Sequence, residues 1–237
     1  MLTGIKVGHS TQHRLLWKGE IPKTKGKEKV KALSVDGGSA RIRTPLGEKS
    51  EWKQYKAIKL HEQVGMALFQ NNKELINWVN KQPLIDEIVC LGDGHDGVWN
   101  IIEEIGDNKY RKEVLDWYHL IENLHKIPEK KEILFQIKSD LWNGSIDKAF
   151  KKLNQLKDEQ AQKFKNYIEK HKTRIPNYKY YQQEKIAIGS GAVESLIKQI
   201  SARIKIVGAQ WDSNNVSQIL KLRCAYLNGE IKMSIFT

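Results

Sequence analysis

Leu33-Ser34-Val35-Asp36-Gly37-Gly38 is the stretch on which the reading of this chain turns. A short apolar run ends in a carboxylate and then in two glycines. Such a run reads as a buried strand whose acid reaches an open sheet edge, and the glycines let another backbone or a ligand come close. The pattern returns at Ile88-Val89-Cys90-Leu91-Gly92-Asp93-Gly94. Two strands that each deliver an aspartate suggest a metal-binding catalytic centre. A single Asp-Gly is more often an ordinary turn, so the weight rests on the recurrence.

Outward from this stretch, Val30–Val35, Ala40–Thr44 and Tyr55–His61 read as a three-stranded antiparallel meander. Its turns fall at Gly37-Gly38 and Pro45-Leu46-Gly47. Asn71–Lys81 carries Leu75, Ile76 and Val79 at helical spacing, with Pro83 just beyond its end. Glu87–Leu91 is apolar enough for a buried parallel strand. Val98–Ile105 reads as a short helix, Glu113–Leu115 as a fifth strand ending at Asp116, and a helix follows from Tyr118 to about Lys126. Residues 129–172 are highly charged, with Leu, Ile and Phe at helical intervals, and read as helix after helix. Arg174–Tyr181, with Pro176 and three tyrosines, reads as an extended connection. Gly189-Ser190-Gly191 then opens a helix from Ala192 to about Val207, with Ser190 at its N-cap, and Ser213–Leu227 is the last helix.

The order β-β-β-α-β-α-β followed by helices is that of an RNase H-like fold: α/β, a mixed five-stranded sheet with flanking helices. An all-α insertion precedes the last catalytic helix. The expected division is a basic N-terminal arm or remnant at 1–30, the first part of the core at 31–128, the helical insertion at 129–187, and the C-terminal helices of the core at 188–237.

The bulk composition agrees with a folded protein that meets a polyanion. Of 237 residues, 40 are Lys or Arg and 28 Asp or Glu, a formal net charge of +12. That balance favours nucleic acid as partner, although a solvated lysine-rich surface is as common an explanation of composition alone. Cys90 and Cys224 lie far apart among apolar residues and read as small core residues of a reducing compartment. No run approaches the length of a membrane span, and the N-terminus has no signal-peptide core.

Asp36, Asp93 and Glu194 are the three candidate carboxylates. Strands one and four are neighbours in an RNase H-like sheet, so their ends would bring Asp36 and Asp93 together, and Glu194 on the first turn of the late helix could face the same space. Each has a plain alternative: the aspartates as turn residues, the glutamate as an acid at a positive helix end. Together they suit two hard divalent cations, which relieve the mutual repulsion of the acids. Such ions hold a scissile phosphate, activate the attacking oxygen and stabilise the leaving one. Lys198, Arg203 and Lys205 follow Glu194 and are candidate DNA-phosphate contacts, with a solvated helix face as the equal alternative. Trp211 could stack on a base, though a core tryptophan is the better reading.

Several segments resemble the DDE transposases of bacterial insertion sequences, specifically the ISKra4 group. They are Ser34-Val35-Asp36-Gly37-Gly38; Leu91-Gly92-Asp93-Gly94-His95-Asp96-Gly97-Val98-Trp99-Asn100; Leu115-Asp116-Trp117-Tyr118-His119-Leu120; Gly189-Ser190-Gly191-Ala192-Val193-Glu194-Ser195; Gly208-Ala209-Gln210-Trp211; and Arg223-Cys224-Ala225-Tyr226-Leu227-Asn228-Gly229. The resemblance implies an RNase H-like catalytic core in which Asp36, Asp93 and Glu194 bind two Mg²⁺ or Mn²⁺ ions. It implies metal-dependent cleavage and strand transfer of DNA, with insertion-sequence ends and target DNA as partners. It further implies a homo-oligomer on DNA, no membrane, and a bacterial cytoplasm. Asp116 and His119 match an Asp-x-x-His element that would support the site, bind DNA, or be a satisfied buried pair. Transposases of this kind carry a longer N-terminal region than the roughly 30 residues that precede the first strand here, so a truncated copy or a fragment of a split reading frame is the expectation. The competing readings are a catalytically inactive DNA-binding remnant and a hydrolytic RNase H-like nuclease.

Overall fold

The structure, a computed structural model, describes residues 24–231 together with Gly8 and Ile21. It is α/β. Five strands form one mixed sheet in the order β3-β2-β1-β4-β5: β1 (Val30–Ile42), β2 (Glu51–Leu60), β3 (Gly65–Phe69), β4 (Leu84–Gly92) and β5 (Lys112–Leu115). β1, β2 and β3 are antiparallel neighbours. β4 runs parallel to β1, and β5 parallel to β4. This arrangement is consistent with an RNase H-like fold, as expected from the element order.

The meander differs from the sequence reading in its details. Val30–Val35 and Ala40–Thr44 are not two strands with a turn between them; a single 13-residue β1 runs straight through Gly37-Gly38. The glycines are needed for close approach rather than for turning. Gly38 pairs with Tyr55, and a Cβ on Gly38 would lie less than 3.0 Å from the Tyr55 ring. The strand expected at Tyr55–His61 is the second half of β2, and the third strand is Gly65–Phe69. The chain reverses before it through Glu62 (φ 59°) and leaves it through Gln70 (φ 51°). No Gly or Pro marks either of those turns.

Alternation divides the sheet into two faces. Leu33 and Val35 of β1, Ile58 and Leu60 of β2, and Met66 and Leu68 of β3 enter one apolar cluster. It also takes in α1 (Asn72–Asn80) and α2 (Asp96–Ile102). Ala40 and Ile42, Tyr55 and Ala57, and Ala67 and Phe69 enter the other, closed by α8 (Gly191–Ile204) and α9 (Ser213–Leu227). Asp36 pairs with Ala57 and therefore looks toward the α8 face. Cys90 and Cys224 are both buried free thiols.

After β5 come α3 (Trp117–Leu124), α4 (Lys131–Trp142), α5 (Ile146–Leu153), α6 (Glu159–Lys170) and α7 (Tyr178–Gln183). The insertion shares the core of the sheet: Leu134, Ile137, Leu141, Phe164 and Ile168 belong to the cluster that contains Leu33 and Leu91. Trp117, Trp142 and Tyr178 meet ring to ring, with centroids 4.7–6.3 Å apart. The expected extended stretch Arg174–Tyr181 is instead a 3-10 turn at Lys172–Arg174 followed by α7. Asn177 starts that helix by accepting from the Tyr180 N–H at 3.0 Å.

Most of the basic arm expected at 1–30 lies outside the described residues. Its described end packs on α1: the Trp78 indole N–H donates to the Thr24 carbonyl at 2.8 Å, and the Gly26 N–H donates to Gln82. Among the described residues, no helix is long and apolar enough to cross a membrane.

Candidate metal centre

The centre lies where β4 stops beside β1. Their parallel pairing ends at Ser34–Leu91, while β1 continues for eight more residues to Ile42. Asp36 thus occupies a stretch of strand whose β4 side is open, and Asp93 is the first residue past the end of β4. Asp36 and Asp93 are both half-buried. Burial pushes the Asp36 carboxyl above its ordinary value. A hydrogen bond from the Gly37 N–H opposes this, the charge of Asp93 adds to it, and the positive charges of His119 and Lys56 oppose it.

Asp93 is held by its loop. One of its carboxylate oxygens accepts from the His95 N–H at 2.9 Å, and His95 in turn caps α2 by accepting from the Gly97 N–H at 3.1 Å. The insertion clamps the same loop. The Tyr167 hydroxyl of α6 donates to the Asp93 carbonyl at 3.0 Å, and its ring leaves no room for a Cβ on Gly94, whose φ is +99°. The sequence carried no sign that the insertion reaches this loop.

Asp116, at the end of β5, is fully buried and organises the far side. As N-cap of α3 it accepts from the His119 N–H at 2.7 Å and from the His119 ring Nδ1 at 3.1 Å. Its other oxygen accepts from the Ser190 N–H. The backbone repeats the connection, since the Trp117 N–H donates to the Ile188 carbonyl at 3.0 Å. Burial alone would raise the Asp116 carboxyl, but the hydrogen bonds from His119 and Ser190 outweigh it and hold it below the usual value. The hydrogen bond to Asp116 lifts His119 to about 9; burial opposes this, and the charges of Asp116, Glu194 and Asp93 support it.

Ser190 stands at the N-cap position of α8, but its hydroxyl does not accept from that helix. It donates to the Glu194 carboxylate at 3.2 Å. A continuous path therefore runs from Asp116 through Ser190 to Glu194. Gly189 makes this turn possible, because a Cβ there would stand 2.6 Å from the Tyr118 ring.

Asp116, His119 and Glu194 place ligand atoms within 4.8 Å of one another, and among the described residues they form a group that could hold a metal ion. Asp36, Asp93 and Glu194 do not close to that spacing as a trio, though Asp36 and Asp93 act electrostatically on each other, and His119 feels both Asp93 and Glu194. The sequence reading cast Asp116 and His119 as support; the structure puts both, with Glu194, in a group that could hold a metal ion.

Lys198, Arg203 and Lys205 are all exposed. Lys198 is one turn after Glu194 on the same side of α8, whereas Arg203 lies half a turn round the helix. Lys205 lies past the helix end, its ammonium 5.7 Å from the centroid of the exposed Trp52 ring. Trp211 packs against the α8 side of the core, and its indole N–H donates to the Ile204 carbonyl at 2.9 Å.

No protein-family model matches this sequence, and no curated protein matches it.

Proposed function

We propose that this chain is the catalytic core of a DDE transposase of the ISKra4 type, which cuts DNA at insertion-sequence ends and joins it to target DNA. The observation that carries this reading is that acids from β1, β4, β5 and α8, far apart in sequence, interact at one end of an RNase H-like sheet. Asp36, Asp93 and Glu194 offer carboxylate oxygens, the donor type that Mg²⁺ and Mn²⁺ take. They would hold two such ions. When bound, these supply an activated water or 3′-hydroxyl and stabilisation of the leaving oxygen.

The chain's own residues prepare the site. Asp36 is placed by β1, and Asp93 by the loop that leaves β4, which the His95 N–H and the Tyr167 hydroxyl hold in place. Asp116 has its oxygens engaged by His119 and Ser190, which suits an orienting role better than a ligand role. Through Ser190 it fixes the first turn of α8 and so aims Glu194. His119, held through its ring by Asp116, lies in the same group as Glu194. The surplus of positive charge, +12, suits a DNA partner.

The test is cleavage and strand joining of a DNA duplex with Mg²⁺. Asp36→Ala, Asp93→Ala and Glu194→Ala should each abolish both reactions while leaving DNA binding. A triple variant that cuts as well as the parent sinks the reading. Cleavage without joining of a 3′-hydroxyl donor would instead mark a hydrolytic nuclease.

A further inference from the structure

Lys56 on β2 lies close enough for its charge to act on Asp36. It pairs with Gly37 across the β1–β2 ladder and is half-buried. Its side chain runs over Gly37 toward the first turn of α2. A Cβ on Gly37 would stand 3.1 Å from the Lys56 ammonium and 3.7 Å from its Cδ, and a Cβ on Gly97 would stand 3.7 Å from its Cε. Two glycines thus wall a slot for one lysine, in the space left open where β4 ends.

This lysine makes no ion pair and no side-chain hydrogen bond among the described residues. Asp96, at the start of α2, is already paired with Lys170. The charge of Lys56 does reach Asp36, without the two closing to ion-pair distance. Lys56 is half-buried as a residue, and no carboxylate among the described residues stands at ion-pair distance from its ammonium. An anion brought by the substrate would supply that partner.

We propose that Lys56 is the phosphate-contacting cation of this centre, holding a non-bridging oxygen of a DNA phosphodiester at the open edge of β1, on the α2 side of the sheet and across the strand from Asp36. The proposal rests on the DNA-transposase reading. It also fits the glycine at 37, where a Cβ would press on the ammonium at 3.1 Å.

The test is binding of a short fluorescein-labelled DNA duplex, read by anisotropy, with Ca²⁺ in place of Mg²⁺ to prevent cutting. Salt is varied from about 50 to 200 mM. Lys56→Gln should weaken binding about five- to tenfold at the low-salt end and reduce the slope of log K against log salt by about one. Lys56→Arg should recover most of both. If Lys56→Gln binds with the parent's affinity and slope, the lysine inference is overturned while the parent's own binding leaves the DNA reading in place. If the parent does not bind DNA, the reading itself fails and the inference falls with it.

Discussion

Asp116→Ala should destabilise the fold by about 2–4 kcal/mol, from the loss of two connections. The first is the N-cap of α3. The His119 N–H loses an acceptor at 2.7 Å, and caps of this kind contribute about 1 kcal/mol. His119 is part-exposed, so water can partly replace the acceptor. The second is the Ser190 N–H, which has no such recourse because Ser190 is 1% exposed. A buried donor left without a partner costs about 1–3 kcal/mol. Burying the carboxylate itself is unfavourable, and its removal returns part of the loss, so the total stays below the sum of the upper limits. Asp116→Asn is the informative control. Its single carbonyl oxygen can serve His119 or Ser190 but not both, so about half the loss is expected. The assay is urea unfolding followed by circular dichroism, with the slope m unchanged. If Asp116→Ala lies within about 1 kcal/mol of the parent, the bridge between α3 and α8 is not what holds Glu194 in place.

Gly38→Ala should cost about 1–3 kcal/mol by overpacking, because Tyr55 is 1% exposed and its ring cannot swing clear. In a double-mutant cycle the cost should shrink when Tyr55 is already Leu; equal costs in both backgrounds would refute the clash. Tyr167→Phe should cost about 1 kcal/mol, with faster amide exchange at Gly94 and His95, whereas unchanged exchange there would mean that the insertion does not clamp the Asp93 loop. His61 gives a pH dependence of defined sign. Burial holds its pKa below the ordinary value, with Lys59 acting the same way against Glu62. The unfolded chain therefore binds the proton first: His61's contribution is complete above about pH 6.5 and is lost as the pH falls below it. The drop in urea midpoint from about pH 7.5 to about 5.5 should be smaller in His61→Gln than in the parent, and an equal or larger drop refutes the assignment.

The sequence was legible wherever a local pattern had one physical meaning. Leu75, Ile76 and Val79 marked α1 within a residue or two of its ends. Continuous apolar runs marked β4 and the first half of β1, and the element order alone led to a five-stranded mixed sheet. It failed where one residue type serves two purposes. Gly37-Gly38 has the composition of a turn, yet it lies in mid-strand because Tyr55 and Lys56 pass across it. Ser190 has the composition of a helix cap, yet its hydroxyl serves Glu194.

Taken alone, the sequence determined which acids stand at the ends of apolar segments, because hydrophobic runs and their breaks are local properties of the chain. Asp36 and Asp93 could be read in this way. Only the tertiary structure decided which groups meet them. The path from Asp116 through Ser190 to Glu194, the Tyr167 clamp on the Asp93 loop, and the Lys56 slot between Gly37 and Gly97 all join residues that are remote in the chain or lie on different elements. Hydrogen bonds and charges act over a few ångströms of space, and that proximity is set by strand order and helix packing, which no local pattern records.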